Sequence, residues 1–187
     1  GCGLPELAMM RPRAGGFIWS EGEQAAICDD IAAARQAGLA GVVLGANLPD
    51  GRLDRPALAR MLAAAAGMQA TLHRCFDLVP DPATALEAAI DLGFQRVLTS
   101  GGALRAEAGL ARLQALHAQA AGRIILMPGA GVSAANAMLF KGFQELHASC
   151  SALSEADPGL ARFGFSAPQT RETRAELVAA LRYASGS

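Results

Sequence analysis

The chain has no closely spaced cysteine pair. Cys2, Cys28, Cys75 and Cys150 lie far apart and no CxxC occurs in the 187 residues. That argues against a zinc module and against a disulfide scaffold, and it suits a reducing cytoplasm. The chain also lacks an excess of either charge. Sixteen basic and 17 acidic residues leave a net charge of −1, so no bulk electrostatics favour nucleic acid or an anionic membrane. Lysine is nearly absent, with Lys141 alone among the basic residues that are otherwise arginine. Arginine suits anion binding, although genomic composition bias explains the skew more simply. No apolar run reaches the ~18–20 residues of a membrane span, and neither a membrane segment nor a signal peptide is expected. No GxGxxG opens a first βα turn, which counts against a dinucleotide-binding sheet.

What is present is alternation. The chain is 52% apolar, enough for a single domain over 1–187 with a real core. Short apolar runs are followed by Ala-rich segments of helical period. The strand candidates are Glu6–Met10, Gly41–Gly45, Ala70–Arg74, Arg96–Ser100, Arg123–Met127 and Gln144–Ser149. The helix candidates are Glu21–Gln36, Arg55–Ala66, Pro82–Leu92, Leu104–Ala120, Ala134–Lys141 and Arg171–Tyr183. Ser20, Asp54, Asp81 and Ser133 stand where helices should start, and Gly38 and Gly93 where they should stop.

Repeated βα units imply parallel strands with helices outside them. The fold expected is α/β, of the (β/α)8 barrel type, because every strand turns polar at its C-terminal end, where such barrels gather their chemistry. These ends read "MRPR", "GAN", "HRCFD", "TSGG", "PGAG" and "LHASCS". Strand parity sharpens the expectation. In "QELHAS", Glu145, His147 and Ser149 share one face, and Leu146, Ala148 and Cys150 the other; Thr71, His73 and Cys75 fall together likewise. The polar sets should face the barrel interior and the apolar sets the helices. With about six parallel strands where a barrel needs eight, two N-terminal βα units are expected to be missing.

Several groups of residues carry candidate chemistry. His73, His147, Glu145 and Asp77 form a candidate acid/base set at the barrel mouth, against the alternative that Arg74 and Asp77 simply pair at a strand end. Arg11 and Arg13 flank Pro12 and suit a carboxylate or phosphate, unless they neutralise barrel carboxylates. Arg74 belongs with them. Thr99, Ser100 and Gly101 of "TSGG", and Gly129 and Gly131 of "PGAGVS", lie in Gly-rich turns whose backbone N–H groups can cradle an anion. The alternative is two tight turns that need glycine for positive φ.

The stretches "RPRAGGFIWSEGE", "TLHRCFD", "RVLTSGG", "MPGAGV" and "ELHASCS" come in an order and spacing that resemble the CutC family, the copper homeostasis proteins. The resemblance runs from about Met9 to Ala152. It implies a cytoplasmic TIM-barrel protein, a homo-oligomer, with a role in copper handling. The family pattern opens with two further βα units, carrying Glu-Cys and "GGLTPS"-like stretches, that are absent here. Copper as Cu(I) would look for soft ligands, and Cys75 with His73 is the pair that parity offers. Two functions stay open: copper binding, or an enzyme on a small anionic ligand (carboxylate or phosphate) at the mouth. Neither a nucleic-acid nor a membrane partner is expected.

Overall fold

The computed structural model describes residues 3–186. Five parallel strands lie side by side in sequence order: β1 (Leu7–Met9), β2 (Gly41–Leu44), β3 (Gln69–Leu72), β4 (Arg96–Thr99) and β5 (Ile125–Pro128). Between them run α1 (Glu21–Gln36), α2 (Arg55–Ala64), α3 (Pro82–Leu92) and α4 (Leu110–Ala120). Beyond them lie an antiparallel hairpin of β6 (Ser151–Glu155) and β7 (Gln169–Thr173), interrupted by α5 (Pro158–Arg162), and then α6 (Ala175–Ser185).

Local chemistry places the helix starts. At α1, Ser20 Oγ accepts from the Glu23 N–H while the Glu23 carboxylate accepts from the Ser20 N–H, a complete capping box. Asp54 and Asp81 cap α2 and α3, each with a proline in the first turn. Gly93 ends α3 at φ +88°, a left-handed position that a side chain would strain.

Pairing registers assign the two faces of the sheet. Val42, Leu44, Ala70, Leu72, Val97 and Leu126 face the helices and build the main core with Ile27, Ile31, Leu58, Met61 and Leu86. The alternate residues, Gln69, Thr71 and His73 on the β3 side and Arg96 and Leu98 on β4, face the concave interior. On β3 this is the expected polar-in parity, whereas Val43, Leu98, Ile125 and Met127 put apolar side chains on the same face.

Four elements differ from expectation. Gln144–Ser149 is not a strand. It runs beside β5, held by one backbone bond from the His147 N–H to Pro128 O at 2.9 Å. Pro128 has no N–H to return, and Ala130 and Gly131 turn left-handed immediately afterwards (φ +77° and +79°), so no ladder propagates. Leu146 and Ala148 still pack as expected, against Leu113, Val132 and Phe140, whereas Cys150, expected on the same face, does not join them. The helix expected from Leu104 starts only at Leu110, because the two glycines of "TSGG" adopt φ +71° and +70° and open a longer turn. Ala134–Lys141 shortens to a 3-10 turn over Ala137–Phe140, started by Asn136, whose side chain accepts from the Ser133 N–H. Arg171 belongs to β7 rather than to a helix.

Candidate functional site

The residues after β3 fold into a 3-10 turn, Arg74–Leu78, that drops Asp77 into the "TSGG" turn after β4. The Asp77 carboxylate, 7% exposed, accepts from Thr99 Oγ1 at 2.6 Å, from the N–H groups of Ser100 and Gly102 at 3.0 Å, from Ser100 Oγ at 3.0 Å and from Arg74 Nε at 2.7 Å. The Gly101 N–H is taken by Thr99 Oγ1. The anion held by Thr99, Ser100 and Gly102 is therefore the protein's own carboxylate, and Gly101, expected among its donors, is turned to Thr99 instead. The expected second role for this turn, as host to an outside anion, loses its donors, and Asp77 is engaged from all sides as a tie between two loops.

His73 starts that same turn. Its Nδ1 accepts from the Cys75 N–H at 3.2 Å, which assigns the proton of the neutral ring to Nε2, a buried atom without a protein partner. Phe17 seals the imidazole, ring centroids 4.6 Å apart, and the Arg11 guanidinium lies 4.8 Å above Phe17. Burial and, behind it, Arg11 push the His73 pKa down to about 4. Cys75 is buried beside it, and burial drives its thiol well above the usual range. Both side chains press on Gly45, where a Cβ would lie 2.5 Å from the imidazole.

The other expected mouth residues separate. Glu145 receives Arg96 Nε at 2.6 Å, and Arg96 also reaches Gln69 at 2.7 Å. Arg96 and Gln69 open their strands, so Glu145 sits at the N-terminal end of the sheet, opposite the mouth. Parity gave its face correctly but not its depth. Arg13 is bound to Glu23 and to Ile18 O, and lies 4.9 Å over the Trp19 ring. Arg11 donates to Gly15 O at 2.7 Å. Both arginines brace the loop after β1. His73, Glu145, His147, Arg11 and Arg13 thus share no single cavity.

A cleft does form at the C-terminal ends of β4 and β5, with a volume of about 390 Å³. Its walls bring together Arg74, His147, the turn Ala130–Ala134 and two residues that sequence reading missed, Arg105 and Arg171. No Asp or Glu lines it. The N–H groups of Ala130, Gly131 and Val132 meet no acceptor among the described residues. At Gly129 a Cβ would press on the end of the Leu98 side chain and approach His147, so a larger residue there would displace Leu98. Gly131 has φ +79°, and a Cβ on it would come within 2.7 Å of the Arg105 guanidinium. His147, exposed at the rim yet crowded by neighbouring atoms, is held below its ordinary pKa by desolvation first and Arg74 second. Of the predicted residues, then, Arg74, Gly131 and His147 line one cleft, and Gly129 lies just before it in the chain. No local signal marked Arg105 or Arg171. Both fall in the first turn of a helix that the periodicity predicts, Leu104–Ala120 and Arg171–Tyr183.

Metal ligands are sparse. No cluster of three or more His, Cys, Asp or Glu exists among the described residues. Cys28 lies on α1 at the edge of the main core, Cys150 lines the cleft, and Cys2 lies outside the described residues. His73 and Cys75 are the one pair that parity and structure both bring together, and they offer no third ligand of that kind.

The chain matches the model of the CutC family over residues 2–152. It is 49% identical over 183 residues to the family protein CutC of Rhizobium meliloti (strain 1021), covering 96% of this chain and 75% of that protein. The corresponding Caulobacter vibrioides protein (strain NA1000 / CB15N) is 45% identical over 189 residues, covering 96% and 77%. Among solved structures, CutC from Streptococcus agalactiae, named for copper homeostasis, superposes with a TM-score of 0.73 at 28% identity, covering 75% of this chain and 70% of that one.

Proposed function

Since this chain belongs to the CutC family, we propose that its working site is the cleft at the mouth of the incomplete barrel, and that the cleft binds a small anion. One observation carries the reading: three arginines, of which only Arg74 is paired with a carboxylate, a histidine and three backbone N–H groups without acceptors among the described residues line a cleft that no Asp or Glu lines. Charge-assisted bonds from arginine, and N–H groups left unpaired beside a strand end, both favour an anionic guest. Placement at the C-terminal ends of parallel strands is where barrel enzymes act. His147 is the titratable group on that wall. Held neutral, it can accept or donate a proton to a bound ligand, and an enzyme acting on an anionic substrate would use it so.

Titration calorimetry with inorganic phosphate tests the reading. Saturable one-to-one binding that weakens about tenfold in Arg105→Ala is expected, the scale of one lost charge-assisted contact. Absence of any heat, with no rise in melting temperature, would remove it.

Copper binding is the second reading, favoured by the adjacency of Cys75 and His73 on Gly45 and by the copper homeostasis name of the Streptococcus agalactiae protein. Against it stand the raised thiol pKa, which disfavours thiolate, and the missing third ligand. One-to-one uptake from a Cu(I) chelate, abolished by Cys75→Ser, would establish it. A cytoplasmic location agrees with the free thiols of Cys28, Cys75 and Cys150. No helix among the described residues is long and apolar enough to cross a membrane. A homo-oligomer is supported by the exposed apolar side chains Leu153, Leu160, Phe163 and Phe165.

A further inference from the structure

We infer that the anion taken by the mouth cleft is the dianion of a phosphate monoester, and that Arg171 of the C-terminal hairpin is the residue that selects it; this depends on the cleft being an anion site at all.

Charge balance is the first ground. Arg74 is already paired with Asp77 at 2.7 Å. Arg105 and Arg171 pair with no carboxylate among the described residues. The cleft thus holds two uncompensated positive charges and no negative one. A phosphate monoester carries close to two negative charges at neutral pH, whereas a carboxylate or a phosphate diester carries one.

Donor geometry is the second ground. Ala130, Gly131 and Val132 supply three consecutive N–H groups without acceptors among the described residues, and a monoester presents three terminal oxygens where a carboxylate presents two. Arg105 lies against Gly131 and donates to its carbonyl at 3.4 Å, so its guanidinium stands over this same turn.

Arg171 completes the site from a different element. On β7, it donates through Nε to Ser151 Oγ at 3.0 Å and through Nη2 to Ser151 O at 2.7 Å. These bonds anchor one edge of the guanidinium and leave Nη1 without an acceptor among the described residues. Arg171 lies beyond residue 152, where the match to the family model ends. The cleft is also larger than a phosphate needs, and Leu98 and Leu177 line it, giving the organic part of the ester an apolar rest.

The test compares four probes by calorimetry on the native chain: glycerol phosphate, dimethyl phosphate, malonate and acetate. The first carries the dianionic tetrahedral group, the second keeps the tetrahedron with one charge, the third keeps two charges on planar carboxylates, and the fourth has neither. Glycerol phosphate is expected to bind at least about tenfold more tightly than each of the others. Arg171→Ala should remove the advantage over dimethyl phosphate, Arg171→Lys should restore part of it, and both variants should melt with the parent because Arg171 is exposed. Equal affinity for malonate or acetate would overturn the phosphate inference and leave the anion reading standing. An Arg171→Ala variant that keeps the full preference would overturn the role of Arg171. Failure of all four probes to bind would remove both this inference and the anion reading.

Discussion

Asp77 carries more of the mouth than any other side chain. Its carboxylate replaces water with donors from Arg74, Thr99, Ser100 and Gly102, so removing its charge leaves several buried donors poorly matched. Asp77→Asn should cost about 2–3 kcal/mol in urea unfolding, more than a surface substitution by a wide margin. An unchanged midpoint would show that the loops are held otherwise. His73 makes a pH-dependent contribution whose sign follows from its depressed pKa. Folded, it ionises near pH 4, against 6.5 for the free group. The unfolded chain takes up the proton first as pH falls, so stability is complete above about pH 6.5 and declines between 6.5 and 4, by about 3 kcal/mol. Melting curves across that window check it, and His73→Gln should flatten them.

At the scale of elements, the capping box of α1 is a local device with a local cost. Ser20→Ala should lose about 1 kcal/mol by denaturant titration, since the Glu23 N–H then has no side-chain acceptor. The segment Gln144–Ser149 is the weaker piece. One backbone bond and the Arg96–Glu145 pair hold it to the sheet, together with Leu146 and Ala148. Arg96→Met should free Glu145 and raise amide exchange at His147 before it affects β2 or β3, because a partly exposed ion pair stabilises its own segment more than the whole. Exchange that rises uniformly across the sheet would contradict this. The consequence for function is direct, since His147 and the wall of the cleft ride on that segment.

For the whole molecule, apolar exposure decides behaviour in solution. Leu153, Phe163 and Phe165 are 59%, 70% and 79% exposed, and all three belong to the hairpin segment, Phe163 and Phe165 with ring centroids 6.3 Å apart. Sedimentation velocity at micromolar concentration should show a dimer or larger species, shifted toward monomer by Phe163→Ser with Phe165→Ser. A monomer throughout would place these side chains on the surface without a partner.

The sequence by itself determined the βα rhythm, the helix starts at Ser20, Asp54 and Asp81, the stop at Gly93, and the faces of Thr71, His73, Glu145 and His147. These follow from periods of 2 and 3.6 and from caps that act over three or four residues, all of which are written locally. Only the tertiary structure decided that Asp77 fills the "TSGG" turn, that Glu145 lies at the far end of the sheet from the mouth, and that Arg105 and Arg171 join Arg74 around one cleft. Parity gives a face but not a depth, which comes from register between strands distant in sequence. An arginine brought in by a hairpin some forty residues after β5 leaves no periodic trace, because its place depends on how the hairpin docks and not on its neighbours in the chain.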